Sequence, residues 1–369
     1  KYAPPSGYLA LCTANLPEPT IGANSDTQAD NHFDTVLYTG NDGDKTISGL
    51  GFQPDWVWAK SRSLAQNHHV HDSARGVELR LNAEANNAEI SDGELKTFTS
   101  DGFTFDTAGA TNTADATNVA WCWHANSGTA TATISESGNN PAASVQANPT
   151  AGFSLITYTG TGDAGTIAHG LGAVPTMMII KNRDVADAWA VYHGANTAAP
   201  GTDYLVLNTN AATADAATYW ADTAPTSSVF TVHDTHSVNA DGEKYVAYVF
   251  ADVEGYSKMG SYNGNGNADG PFVFTGFRPA WLMVKNTAAT GSWWVVDSKR
   301  PGFNGVLNTS GNARLRPDTN GVEDDAGRVD TLSNGFKIRT PAYGESNTDS
   351  VKYIYMAFAE VPFKYANAR

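Results

Sequence analysis

Apolar and polar positions along the chain follow one pattern three times. The stretches Gly51-Phe52-Gln53-Pro54-Asp55-Trp56-Val57-Trp58-Ala59-Lys60, Gly172-Ala173-Val174-Pro175-Thr176-Met177-Met178-Ile179-Ile180-Lys181 and Gly276-Phe277-Arg278-Pro279-Ala280-Trp281-Leu282-Met283-Val284-Lys285 each set a proline ahead of an unbroken apolar run that ends on lysine. Proline cannot donate to a ladder, so its place is the start of a strand. Large, β-branched and aromatic residues without polar alternation predict strands covered on both faces, as in the middle of a sandwich.

The landmarks around these runs return in the same order. Tyr38-Thr39-Gly40, Tyr158-Thr159-Gly160 and Tyr262-Asn263-Gly264 precede them. Leu79-Arg80-Leu81-Asn82, Leu205-Val206-Leu207-Asn208 and Val306-Leu307-Asn308 read as a later strand in each set. Asp101-Gly102 is a tight-turn signal before Phe103-Thr104-Phe105, and Val119 to Trp123, Tyr245 to Phe250 and Tyr353 to Phe358 close the sets. A repeat of this length is a small domain and not one turn of a solenoid. The expectation is an all-β protein of three tandem antiparallel β-sandwich units, jelly-roll or lectin-like, over 33–126, 153–252 and 253–369. Residues 127–152, rich in Ala, Ser, Thr and Asn, read as an exposed linker, and the alanine-rich stretches near 195–199 and 211–217 as irregular loop. Residues 1–32 read as the end of an upstream module and a Pro-rich linker, so the chain is expected to be a fragment of something longer.

Composition narrows the classes. A chain of 369 residues with 41% hydrophobic content can bury cores of this number, and 35 glycines and 16 prolines suit many turns. A net charge of −15 argues against nucleic acid and anionic membrane as partners, since both need a basic surface. Cys12 and Cys122 lie in different modules, which excludes a disulfide framework and a zinc-binding cysteine pattern. No apolar span reaches membrane length, so no membrane insertion is expected.

Candidate chemistry is sparse. Lys60 and Asp72, like Lys285 and Asp297, are expected to form strand-end ion pairs that fix sheet geometry, with Arg75 and Arg300 nearby; His193, Gly194 and Asn196 replace the acid and its neighbours in the second copy. His68, His69, His71 and Asp72 have metal-ligating side chains, but strand alternation lets only His69 and His71 share a face. No metal site is expected there. The loops holding Asp42, Asp44, Asp163 and Asp269 read first as hairpin turns, with Ca²⁺ or sugar hydroxyls as the other use of their oxygens. Tyr219 and Trp220 lie in a polar stretch and are expected to be exposed contacts for carbohydrate or a protein partner. No nucleophile elbow, phosphate-binding loop or catalytic carboxylate pair stands out, so no enzyme and no cofactor is expected.

The motifs Tyr-Thr-Gly, Gly-Phe-x-Pro-Asp-Trp-Val-Trp-x-Lys from Gly51, Asp72-Ser73-Ala74-Arg75-Gly76, Ser-Asp-Gly-Phe from Ser100 and Val-Ala-Trp-x-Trp from Val119 resemble a repeated module of tail-fibre and other virion structural proteins of tailed bacteriophages, especially marine ones. The opening Pro4-Pro5-Ser6-Gly7-Tyr8-Leu9-Ala10-Leu11-Cys12 is similar to the end of a SPRY-type, concanavalin-like module. The resemblance implies a non-enzymatic component on the exterior of a virion, a tail fibre or appendage that contacts host surface polysaccharide. The alternatives are a head decoration or tail-assembly protein that binds other virion proteins, and a glycan depolymerase. Either a homotrimer or a pseudo-threefold monomer fits three copies in one chain.

Overall fold

The proline-led runs form the strands Trp56–Ser61, Met177–Asn182 and Pro279–Asn286 in a computed structural model. It describes residues 21–22, 27–91, 93–105, 109–302, 304, 311–341 and 343–360. Of the upstream remnant and linker expected over 1–32, residues 1–20, with Cys12, and 23–26 lie outside the described residues, as does the strand expected at Val306 to Asn308, while Ile21 and Ala29 are buried in a core shared with the large sheets. Each proline-led strand sits between two antiparallel neighbours in a large sheet. One neighbour is the closing strand, Thr117–Trp123, Lys244–Phe250 or Lys352–Ala359. The other is the strand that follows in sequence, His69–Asp72, Ala190–His193 or Trp294–Asp297. Small sheets accompany them, among them Lys45–Ser48 with Gly102–Phe105, Gly165–Ala168 with Val229–Val232, and Phe272–Phe274 with Gly335–Ile338. The protein is therefore all-β with antiparallel ladders.

Registers align the three large sheets residue by residue. Trp56, Met177 and Trp281 each face an aromatic residue on the closing strand, Trp123, Phe250 and Phe358. On the other side they face Asp72, His193 and Asp297. In the first two sheets alternation then sends the two faces of the strand into different cores, whereas in the third Leu282 and Val284 join Phe336 and Ile338 in the same core as Trp281 and Met283. Val57 and Ala59 pack with Phe103 and Phe105, and Met178 and Ile180 with Phe230 and Val232, inside a large-sheet and small-sheet sandwich. Trp56, Trp58, Met177, Ile179, Trp281 and Met283 instead share a single core to which all three large sheets contribute.

That shared core is aromatic, and its contacts run between every pair of sheets. Trp56 stacks on Tyr248 with centroids 4.3 Å apart, Trp123 meets Trp281 edge-on at 5.7 Å, and Phe250 meets Phe358 at 6.1 Å. Each such side chain contributes roughly 1.5–3 kcal/mol by leaving water. The sheets are thus held together by the same force that forms each of them.

Two segments differ from the sequence expectation. Residues 127–152 are no bare linker, because Ala132–Ile134 and Ala143–Asn148 are strands and the second pairs with Phe153–Thr159 at the edge of the second large sheet. Ala143, Val145 and Ala147 alternate inward against an already formed core, where small side chains suffice. Ala217–Trp220 is one helical turn.

Candidate functional site

Asp72, Arg75, Asp297 and Arg300, singled out in the sequence, are buried, and the two aspartates lock one sheet to the next. Asp72 accepts from Arg75 Nε at 2.5 Å, and Asp297 from Arg300 Nε at 2.6 Å. Each aspartate also receives a donor from another sheet: Tyr248 Oη reaches Asp72 Oδ2 at 2.7 Å, and Trp121 Nε1 reaches Asp297 Oδ2 at 2.9 Å. The second sheet has His193 at this register, and its Nε2–H donates to the Tyr355 carbonyl at 3.1 Å while Nδ1 accepts from the Ala195 amide. Burial pulls the His193 pKa down to about 4, which keeps the ring neutral.

A second ring of contacts follows the same order. Arg62 forks onto Glu323 with both bonds at 2.8 Å, and Arg183 forks onto Glu89 at 3.0 and 2.8 Å. Arg300 and Arg75 also donate to those glutamates, at the Oε2 that accepts from Arg62 and Arg183 Nε. At the third junction Thr287 and Thr213 replace the arginine and glutamate, joined by the Thr213 amide and the Thr287 carbonyl at 2.9 Å. His68, Trp189 and Trp293 precede equivalent strands and donate to the carbonyls of Arg316, Asn82 and Val206. First contacts third, second contacts first, and third contacts second throughout. His68 is therefore an interlock donor in the place where the other sheets use tryptophan.

The lysines do not take part in these pairs. Lys60 Nζ donates to the carbonyls of Ser61 at 2.5 Å and Leu64 at 3.3 Å, Lys181 to those of Asn182 and Val185, and Lys285 to those of Asn286 and Asn210. Burial lowers all three to about 8. The expected Lys60–Asp72 and Lys285–Asp297 pairs are replaced by Asp72–Arg75 and Asp297–Arg300. The reason is spacing: an acid and a base three residues apart on a strand-end turn meet directly, whereas the lysine lies four residues along the facing strand from Trp56 or Trp281, which oppose the acids.

The aspartate-rich loops are turns pinned from beneath by buried asparagines that sequence reasoning passed over. Asn112, Asn239 and Asn347 accept from the amides of Asn41, Thr161 and Asn265, and donate to the carbonyls of Gly43, Asp163 and Asn267. Asp42 lies at φ +58° and accepts the Ala114 amide; the Asp44 carbonyl accepts from Asn41, and Asp269 pairs with Lys337 at 2.8 Å. Lys337 lowers the Asp269 carboxyl. Tyr219 and Trp220 are buried, against expectation. Trp220 Nε1 donates to the Asp203 carbonyl at 3.0 Å, and Tyr219 stacks on Tyr204 at 3.7 Å. The helical turn folds both into the second sandwich core, a placement that polar neighbours in sequence do not reveal.

Two further polar sites stand out among the described residues. Inside the first sandwich, His69, His71 and Glu94 are buried with ligand atoms within 4.8 Å of one another. The other is an open cleft of about 470 Å³ lined by Asn31, His32, Gln53, Ser100, His124 and Ser127, with Phe52 stacked under His124 at 5.5 Å. Burial draws His32 down to about 4. His124 Nε2 lies 3.3 Å from Ser127 Oγ, but its Nδ1 is buried without a partner, where a serine–histidine nucleophile would need an orienting group. The cleft offers amides, hydroxyls and imidazoles, the donors and acceptors that suit an uncharged polyhydroxylated ligand.

One protein family, described as a domain of unknown function (DUF7483), matches residues 28–362. The chain belongs to the DUF7483 family. The match spans all three large sheets and both polar sites of this DUF7483 chain, so they fall within one family domain. No curated protein matches it. No helix among the described residues is long and apolar enough to cross a membrane.

Proposed function

We propose that this chain is a non-enzymatic structural component of a bacteriophage virion, a rigid pseudo-threefold body in a tail fibre or appendage that contacts host-surface glycans. The observation that carries this reading is the interlock. Asp72, Asp297, Glu89, Glu323, Arg75 and Arg300 are all engaged in holding sheet to sheet, an arrangement suited to bearing load. The motif resemblance supplies the virion setting, and the amide- and hydroxyl-lined cleft of Gln53 and Ser100 supplies a place for sugar. The test is binding of the purified chain to a bacterial-glycan array. Saturable binding weakened by Gln53→Ala supports the reading, and absence of binding removes its glycan part.

A second reading, assembly with other virion proteins, draws on one patch. Phe272 is 46% and Phe274 65% exposed on a small-sheet edge strand, beside the exposed Leu332. Lys45–Ser48 and Gly165–Ala168 carry Thr46 and Ser48, and Thr166 and Ala168, at the corresponding places flanking a buried isoleucine. Replacing both phenylalanines by serine is expected to leave thermal stability unchanged and to abolish co-sedimentation with virion proteins if this face is the one used.

A further inference from the structure

The first sandwich holds a polar cluster that the repeat does not explain. His69 and His71 project between the large and small sheets, where the equivalent registers carry Ala190 and Tyr192 in the second sheet and Trp294 and Val296 in the third. Glu94 joins them from the segment leading into the small-sheet strand Leu95–Thr99. Buried polar groups cost free energy unless they are partnered, and a core built of Ala, Tyr, Trp and Val needs none.

The donor geometry of the cluster is specific. His71 Nδ1–H donates to the Leu79 carbonyl at 3.0 Å, which fixes the tautomer and leaves the lone pair on Nε2. That Nε2 is fully buried and has no partner. A ring anchored through one nitrogen to a carbonyl, with the other nitrogen free, is the arrangement of a metal-ligating histidine. His69 Nδ1 contacts Glu94 Oε2, and Glu94 Oε1 accepts from the Thr111 amide at 3.0 Å and from its hydroxyl at 2.6 Å. Room for the carboxylate depends on Gly109, since a Cβ there would lie 2.2 Å from Glu94 Oε1.

We propose that His69, His71 and Glu94 form a structural site for a divalent metal ion of the zinc type, which staples the large sheet of the first sandwich to its small sheet. Two imidazoles and a carboxylate are a donor set for such ions, with water completing the shell. The ion takes the place of the proton shared between His69 Nδ1 and Glu94. The His69 ring then carries its proton on Nε2, and the guanidinium of Arg80, which now contacts that nitrogen, turns outward from its partly exposed position. Arg80 thus opposes binding as a like charge and marks the route of entry.

The test uses the full chain stripped with a chelator and titrated with Co²⁺ or Zn²⁺ alone. One equivalent is expected to bind, with a visible cobalt spectrum for a low-coordinate site and a rise in the thermal midpoint. His71→Val installs the residue that the third sheet carries at this register and is expected to abolish uptake. Arg80→Ala is expected to tighten binding by roughly tenfold, because it removes a nearby positive charge. Failure of wild type and Arg80→Ala alike to take up stoichiometric metal overturns the proposal, as does uptake unchanged in His71→Val. Should His71→Val not fold, the direction of the Arg80→Ala effect decides: tighter binding supports the site, and unchanged or weaker binding overturns it.

Discussion

At the residue scale, the protein buries several titratable side chains and becomes sensitive to acid there. His193 has a folded pKa of about 4 against an ordinary 6.5, because burial disfavours its charged form. A depressed histidine binds fewer protons folded than unfolded, so stability is full above about 6.5 and drains away as pH falls from 6.5 to 4. At about 1.4 kcal/mol per unit, His193 alone accounts for roughly 3 kcal/mol across that window. His71, lowered to about 3 with burial as the largest cause, adds to the same slope and extends it downward. Urea midpoints measured from pH 7 to pH 4 are expected to fall less steeply in His193→Gln, which keeps a neutral donor toward the Tyr355 carbonyl. An unchanged slope would mean that the ring is not held neutral by the neighbouring sheet. The three buried lysines work in the opposite range: lowered to about 8, they add stability as pH rises from about 8 toward 10.5.

At the scale of elements, turns in this protein are fixed by side chains that lie elsewhere in the sequence. Asn239 bonds both the Thr161 amide and the Asp163 carbonyl, so Asn239→Ala leaves two backbone groups without partners and is expected to cost about 1–3 kcal/mol. Asp163→Ala removes only an exposed carboxylate and is expected to be near neutral in thermal unfolding. A large effect at Asp163, or none at Asn239, would reopen the loop as a ligand site. This contrast marks what the sequence made legible. The proline-led strands, the closing strands and the turn character of the Asp42, Asp163 and Asp269 loops follow from local period and turn chemistry. The interlock does not, because Glu89 and Glu323 meet Arg183 and Arg62 only through tertiary structure. One hint was present: Arg62 and Arg183 follow the repeated lysine by two positions, and Thr287 stands there in the third copy. Trp220 misled because its neighbours are polar, while burial is decided by the helical turn that folds it back on Tyr192. Glu94 completes the histidine cluster from 25 residues beyond His69, a distance at which spacing on one strand carries no information.

At the scale of the whole molecule, the shared core makes the sheets energetically inseparable. If each large sheet folded alone, its inward face would expose Trp56, Trp58, Trp121 and Trp123, or their counterparts, each of which is almost completely buried here. Such a face is far larger than the apolar patches that monomeric proteins leave in water. Trp281 touches Phe33, Trp121 and Trp123 from the first sheet as well as Phe358 from its own. Trp281→Ala is therefore expected to cost roughly 3–5 kcal/mol and to charge that cost to the entire molecule. Native-state hydrogen exchange separates the two possibilities. Amides of Trp56–Ser61 in the first sheet and of Met177–Asn182 in the second should lose protection by the same free energy as those of Pro279–Asn286. Loss confined to the third sheet would mean three bodies resting on one another and would remove the mechanical basis of the proposed function. Equal loss across all three would make the tryptophan core, together with the cyclic ring of Asp72, His193 and Asp297, the element that lets a chain of turns and short strands behave as one rigid body.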